Sequence, residues 1–418
     1  MNQAEETIKL YEESINPALA RLFRFMGLDS IEVRAEGMRI KDVKGREYID
    51  CLGGYGSLNF GHSPREIVDA VKDQLDRMSL SSKILFNHQL ADFASELTEV
   101  TPGDLQYSFV CNSGTEAVEG ALKLARLYTG ENEIISTVNS FHGKSMGALS
   151  ATGREQYKEP FGPLIPEFKH IPFGDLKSFL KAITPRTAAI ILEPLQGEGG
   201  IVLPPSGYLK GVREICNQKD IVMIVDEVQT GLGRTGTNFA VEAEEVVPDI
   251  MTLAKSLGGG VMPVGALIAR PHIWEPFIES PLVHTSTFGG NPLAAVAGKK
   301  ALEILQRDNL ASRAKEVGEL LIGKLKELRD KYPELIKEVR GKGLMIGIEL
   351  MNEGLGGMLI SELTNRRLLA AYTLNQPKVI RVEPPLIISE SDIREVIDIF
   401  DDALAAVANL NSMEASIS

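Results

Sequence analysis

Six short runs of apolar, often β-branched residues recur through the middle of the chain, at 107–111, 133–137, 188–192, 221–225, 250–254 and 264–268. Segments with helical spacing separate them. Runs without in–out alternation belong to strands buried on both faces, which predicts a mainly parallel central sheet between layers of helices. Ahead of this core, Ser63-Pro64-Arg65-Glu66 reads as a capping box with proline at the first helical position. It opens a helix whose Ile67, Val71, Leu75 and Met78 share one face. Beyond the core, Asn291-Pro292 begins a long helix. Strands near 341–350 and 379–382 and a closing helix from Ser389 then read as a small α+β unit. Glu353-Gly-Leu-Gly-Gly357 reads as a loop and 411–418 as a frayed tail. The expectation is an α/β chain in three parts: an N-terminal segment, 1–80, packing with the small domain; a large domain, 81–308; and a C-terminal small α+β domain, 309–418.

Composition narrows the class. A chain of 418 residues exceeds one hydrophobic core. The formal net charge of −13, without a basic run, argues against nucleic acid and anionic membrane surfaces as partners. Cys51, Cys111 and Cys216 are too sparse for a disulfide framework, the start is polar rather than signal-like, and no apolar run is long enough to span a bilayer. A cytoplasmic protein is expected.

Candidate chemistry gathers at two strand ends. The run 221–225 leads straight into Asp226-Glu227, and Lys255 sits in Thr252-Leu-Ala-Lys-Ser-Leu-Gly-Gly-Gly260. A strand-end carboxylate and a lysine backed by glycines are what a Schiff-base cofactor needs: an anion for its ring nitrogen and an amine for its aldehyde. Taken singly, Lys255 reads equally as a surface charge and Asp226 as a strand cap. Asn112-Ser113-Gly114-Thr115-Glu116 follows a strand and opens a helix, so it serves either as a phosphate cradle or as a plain Ser-x-x-Glu capping box. Gly231-Leu-Gly233-Arg-Thr-Gly236 matches a dinucleotide pattern, but begins too far beyond its strand and beside two carboxylates. It reads better as a backbone-permissive loop. The six histidines show no ligand spacing, so no metal site is expected.

Ser113-Gly114-Thr115, Phe141-His142-Gly143, Glu193-Pro194-x-Gln196-Gly-Glu198-Gly-Gly200, Asp226-Glu227-Val-Gln229-Thr-Gly231, Lys255 and Thr287-Phe-Gly-Gly-Asn-Pro292 together resemble the signature set of class III (ω-) aminotransferases. The match runs in order from about Gly53 to Leu386. It implies a fold-type-I transferase dependent on pyridoxal 5′-phosphate, with Lys255 and Asp226 catalytic. Lys255 would hold the cofactor's aldehyde and carry the proton; Asp226 would pair with the ring nitrogen. The resemblance also assigns Ser113, Gly114 and Thr115 to the phosphate, Phe141 to the ring face and Gln229 to the ring hydroxyl, with His142 and Glu193 in the same cofactor set. Thr287 would complete the phosphate site from a neighbouring subunit, which makes a homodimer or larger homo-oligomer part of the active site.

Within the class, Phe141-His-Gly-Lys144-Ser, Gly259-Gly-Val-Met-Pro263, His284-Thr-Ser-Thr-Phe288 and Arg381-Val-Glu-Pro-Pro385 most resemble putrescine aminotransferases. That implies transfer of a terminal amino group from putrescine or a related diamine to 2-oxoglutarate or pyruvate, with Tyr55, Lys144, Glu198 and Arg381 at the substrate. Arg381 would take the acceptor carboxylate and Glu198 would cover it while an amine is bound; a fixed structural ion pair is the other reading of the two. Lys144 stands where acetylornithine and ornithine enzymes carry arginine, which weakens a specific site for the 2-oxoglutarate γ-carboxylate. Alternatives are an ornithine, acetylornithine, lysine-ε or 4-aminobutyrate aminotransferase, an aminomutase, a non-catalytic cofactor-binding protein or, on the glycines alone, a nicotinamide dehydrogenase.

Overall fold

The computed structural model describes residues 3–28 and 30–417. Its central sheet has seven strands in the spatial order Tyr107–Cys111, Gly265–Ala269, Ile250–Leu253, Val222–Asp226, Thr187–Leu192, Glu133–Thr137, Phe168–Ile171. Every pairing from Ile250–Leu253 outward to Phe168–Ile171 is parallel. Gly265–Ala269 runs against both its neighbours. The sheet is mainly parallel, as expected for the α/β chain, and one antiparallel strand makes it mixed.

The four central strands are buried at every position. Alternate residues feed two cores: Met223 and Val225 enter one, Val222 and Ile224 the other. The second core is closed by the helix Gly114–Thr129 through Val118, Ala121, Leu122 and Ala125. Each buried valine, leucine or isoleucine contributes about 2 kcal/mol of transfer free energy. A polar residue at Ile224 would forfeit that and leave an unpaired group between sheet and helix.

Two smaller sheets flank this one. Glu32–Glu36, Arg39–Asp42 and Glu47–Asp50 form an antiparallel meander, whose last strand pairs in parallel with Leu368–Leu369. Residues from both ends of the sequence therefore share a sheet. Ile336–Lys342, Met345–Leu350, Gln376–Val382 and Ala371–Thr373 form the other, fully antiparallel, and it carries Arg381 opposite Gly347.

Several local expectations are corrected. Ser63 makes no capping box: it lies at φ 51°, and the helix begins at Arg65 with Pro64 as its cap residue. Ile67 of that helix is buried, but Leu75 and Met78 are exposed. The Gly-rich stretch read as a loop is helical, Glu353–Asn365, because Asn352 Oδ1 accepts from Leu355 N at 3.1 Å and caps it. The closing helix, Glu390–Ile417, carries on through the supposed tail, Ser418 lying outside the described residues. Among the described residues no helix is long and apolar enough to cross a membrane.

Candidate active site

The strands that share one direction end on one edge of the sheet, where ligands of open α/β sheets bind. Asp226 closes Val222–Asp226, Glu193 follows Thr187–Leu192, Phe141 and His142 lie beyond Glu133–Thr137, Ser113 follows Tyr107–Cys111, and Lys255 follows Ile250–Leu253. One edge of one sheet thus gathers most of the expected residues.

Asp226 is buried and held on both oxygens. Val228 N donates to Oδ1 at 3.1 Å, and His142 Nδ1 lies 2.8 Å from Oδ2. A carboxylate only accepts, so Nδ1 carries the proton in this contact. His142 Nε2 is buried without a hydrogen-bond partner. Glu193 lies alongside and accepts from Phe141 N and Gly197 N, each at 3.0 Å. Burial, with Asp226 nearby, pushes its carboxyl up to about 7 despite the opposing pull of His142. Glu193 therefore braces the loop that carries half-buried Phe141.

Lys255 opens a short 3₁₀ turn with a left-handed backbone, φ 49°. A non-glycine residue in that region costs about 1–3 kcal/mol and persists only where the surroundings enforce it. Burial lowers the ammonium's pKa, while Glu383, Glu198 and Asp226 act to raise it. A lysine shifted downward is closer to the neutral amine that nucleophilic chemistry requires.

The phosphate-cradle and capping readings of Ser113 are compatible. Ser113 Oγ accepts from Glu116 N at 3.3 Å, and a hydroxyl that accepts still has a proton to donate. Glu116 reaches back to Asn112 N at 2.6 Å rather than to Ser113 N. Thr115 Oγ1 lies 2.6 Å from Ser145 Oγ, which donates to Glu119 at 2.6 Å, tying the helix start to the Phe141–Ser145 loop. A Cβ on Gly114 would lie 3.0 Å from Val228 and 3.4 Å from the Ala254 Cβ. Only glycine lets the helix N-terminus abut both the turn after Asp226 and the residue before Lys255. Amine, buried anion, unpartnered imidazole nitrogen and helix N-terminus together fit a phosphorylated aldehyde with a basic ring nitrogen.

Close enough to Lys255 to act on its charge stands a second cluster. Arg381, fully buried, donates from Nη2 to Glu198 Oε2, which also accepts from Leu374 N at 2.8 Å. Burial alone would lower the arginine, but Glu383 and Glu198 outweigh it. Its guanidinium carbon lies 5.4 Å from the centroid of the Tyr55 ring. Tyr55 reaches it from a left-handed turn, Gly53 to Gly56, in which all four residues have positive φ. Gly53 has no alternative there, since a Cβ would collide with the Glu383 carbonyl.

The other expected residues are Gln229, Lys144 and Thr287. Gln229 Nε2 donates to Glu383 Oε1 at 2.8 Å. Lys144 is exposed, its Nζ 5.2 Å from the centroid of the Tyr157 ring, whose hydroxyl donates to Leu374 O at 3.0 Å. Thr287 is exposed on a loop whose Ser286 accepts from Asn112 Nδ2 at 3.3 Å. The sequence reading also missed Glu383, Ser145 and Tyr157. Ser145 and Glu383 lay inside blocks already singled out; Tyr157 carried no signal. The Gly231–Gly236 glycines shape no nucleotide loop. They let fully buried Arg234 donate to Leu344 O at 2.9 Å, Pro384 O at 2.6 Å and Asn59 Oδ1 at 2.6 Å.

Residues 28–404 match the family model for class III aminotransferases. Among solved structures, the chain is similar to an ornithine aminotransferase from Toxoplasma gondii ME49, with TM-score 0.91, 32% identity and coverage of 98% of this chain and 96% of that one. An (S)-enantioselective ω-transaminase from Thermomicrobium roseum matches with TM-score 0.90, 31% identity and coverage of 97% and 99%. An acetylornithine aminotransferase from Elizabethkingia anophelis matches with TM-score 0.84, 32% identity and coverage of 97% and 100%.

Proposed function

Because the chain belongs to the class III aminotransferase family and is a pyridoxal-phosphate-dependent enzyme, we propose that it moves the terminal amino group of putrescine or a related diamine to 2-oxoglutarate or pyruvate. When bound, the cofactor supplies an aldehyde for the amine and a ring that takes up the electrons of the broken C–H bond. Lys255 would hold and return the proton at the reacting carbon, Asp226 would keep the ring nitrogen protonated, and Phe141 would line the ring. Ser113, Gly114 and Thr115 bind the phosphate. The donor leaves as an aldehyde, and the acceptor as an amino acid.

The observation that carries the substrate reading is the buried Arg381–Glu198 pair. A cation suited to an acceptor's carboxylate is covered by a carboxylate, so a donor without one meets no bare charge. Lys144, exposed on Tyr157, offers no bidentate fork for a second carboxylate, which keeps pyruvate beside 2-oxoglutarate. A second reading, an ornithine-type donor, is favoured by the similarity to ornithine and acetylornithine aminotransferases. Rates for putrescine, cadaverine, ornithine, acetylornithine and 4-aminobutyrate against both acceptors separate the two. Ornithine outpacing every diamine would sink the diamine reading.

The same proposal includes a homodimer. Ile84 and Leu282 are 90% and 83% exposed, on two loops joined by a Lys83–Gly289 contact beside Thr287. Such apolar side chains call for a cover, and a second copy would bring its Thr287 to this chain's phosphate site. Free, buried Cys51, Cys111 and Cys216 support a reducing, cytoplasmic setting.

A further inference from the structure

Arg381 lies between two carboxylates. Glu198 Oε2 accepts from its Nη2, and Glu383 Oε2 stands 3.7 Å from its Nη1. The two partners are held very differently. Glu383 is wholly buried, its N–H donates to Cys51 O at 2.7 Å, its Oε1 accepts from Gln229 at 2.8 Å, and Arg234 grips the next carbonyl, Pro384 O, at 2.6 Å. It has nowhere to swing. Glu383 Oε2 and Arg381 Nη1 are both buried without a hydrogen-bond partner, and they face each other just beyond bonding distance. Burying such atoms unpaired is costly, so the arrangement has a use only if the two become partners at some stage of the cycle. In the structure the guanidinium is drawn toward Glu198. Once Glu198 withdraws, the nearest anion to Arg381 is Glu383.

We propose that Glu383 is a standing counter-charge for Arg381 and thereby a specificity-determining residue: it keeps the arginine neutralised when Glu198 leaves, setting the pocket against carboxylates and in favour of donors whose far end is an ammonium. With Glu198 in place the trio carries one negative charge in excess, which suits a diamine. With Glu198 withdrawn, arginine and Glu383 cancel, so an acceptor carboxylate is held by hydrogen bonds against a neutral pair rather than by a bare cation. Glu383 acts through Arg381 and is a positioning residue; its effect on donors rests on the diamine reading above.

The test uses cofactor-loaded Glu383→Gln, which removes the charge yet can still accept from Gln229. Single-turnover rate constants are measured for putrescine and for 4-aminobutyrate, equal carbon chains ending in ammonium and carboxylate. The putrescine preference should fall about tenfold or more, and inhibition by glutarate, an unreactive dicarboxylate, should tighten by about tenfold. Adding Arg381→Ala should abolish the glutarate gain. Equal losses for both donors with unchanged glutarate affinity would mean that Glu383 merely supports Gln229, and would overturn the proposal. Glu383→Asp, whose carboxylate is retracted from Nη1, should tighten glutarate by a smaller factor. If the glutamine variant does not load cofactor, unchanged or weakened glutarate binding in the aspartate variant overturns the proposal instead. Should the wild-type enzyme refuse diamines altogether, the donor reading fails while the glutarate measurements still decide the role of Glu383.

Discussion

His142 and Asp226 meet at 2.8 Å with both side chains almost sealed from solvent. With Val228 N on the other oxygen, the carboxylate cannot turn, and its remaining lone pairs have a fixed direction. A fixed anion stabilises a protonated ring nitrogen without reorganising as the reaction proceeds. Asp226→Asn keeps the shape and loses the anion, so the half-reaction rate should fall by orders of magnitude while cofactor affinity falls less. His142→Ala keeps the anion and frees its orientation; the expected loss is smaller, about tenfold in rate. Stopped-flow absorbance of the cofactor reads both, and an intact rate in the asparagine variant would reduce Asp226 to a structural role.

Lys255 is the residue whose loss has no substitute. Lys255→Ala should fold, since a left-handed turn flanked by Gly258 and Gly259 does not depend on the amine. It should bind cofactor only reversibly, so that dialysis strips it and borohydride no longer fixes it to the chain. Turnover should fall by several orders of magnitude, about 10³-fold or more, because anchor and proton carrier are lost together. Near-normal turnover would dismiss Lys255 from the chemistry.

The sequence disclosed the central strands well, because burial on both faces leaves unbroken apolar runs such as 221–225. Phe168–Ile171 was invisible for the opposite reason: as an edge strand it is only partly buried, and Phe-Lys-His-Ile, apolar only at its two ends, shows neither an unbroken apolar run nor an alternation. The reversed direction of Gly265–Ala269 was also hidden, since an antiparallel strand deep in a sheet reads like a parallel one. Glu353–Asn365 was missed because glycine frequency outweighed the Asn352 cap. At the site, residues on strand ends were readable as motifs, while Tyr157 and the partnership of Gln229 with Glu383 arise from chain crossings with no local pattern.

Glu227 offers a test of the fold that is separate from catalysis. Its Oε1 accepts from Val241 N at 2.9 Å and its Oε2 from Thr230. Burial pushes its carboxyl from the ordinary 4.5 up to about 7. Between those values the folded protein holds a proton that the unfolded chain has released, so this group's contribution to stability declines as pH rises through the window. Glu227→Gln can keep both hydrogen bonds and has no charge to bury. Its Tm relative to wild type should therefore climb from pH 5 to pH 8, by an amount worth up to about 3 kcal/mol. A Tm difference independent of pH would show that Glu227 is ionised in the fold at little cost.

The Arg381–Glu198 pair distinguishes a gate from a girder. If Glu198 covers the arginine only while an amine is bound, Glu198→Ala strips the cluster of its negative excess, leaving the diamine a guanidinium balanced by Glu383 alone, and should slow the amine half-reaction by about tenfold or more. Carboxylate-bearing substrates should bind as well as before or better, because their competitor for the guanidinium is gone. Arg381→Ala should do the reverse, crippling the oxo-acid half-reaction while sparing reduction of the cofactor by putrescine. Cofactor spectra followed through each half-reaction separately give four rate constants for the two variants. Equal losses in both halves for both variants would make the pair a fixed support. Opposite losses would show that Glu198 and Arg381 take turns, and that one buried cation serves two substrates of unlike charge.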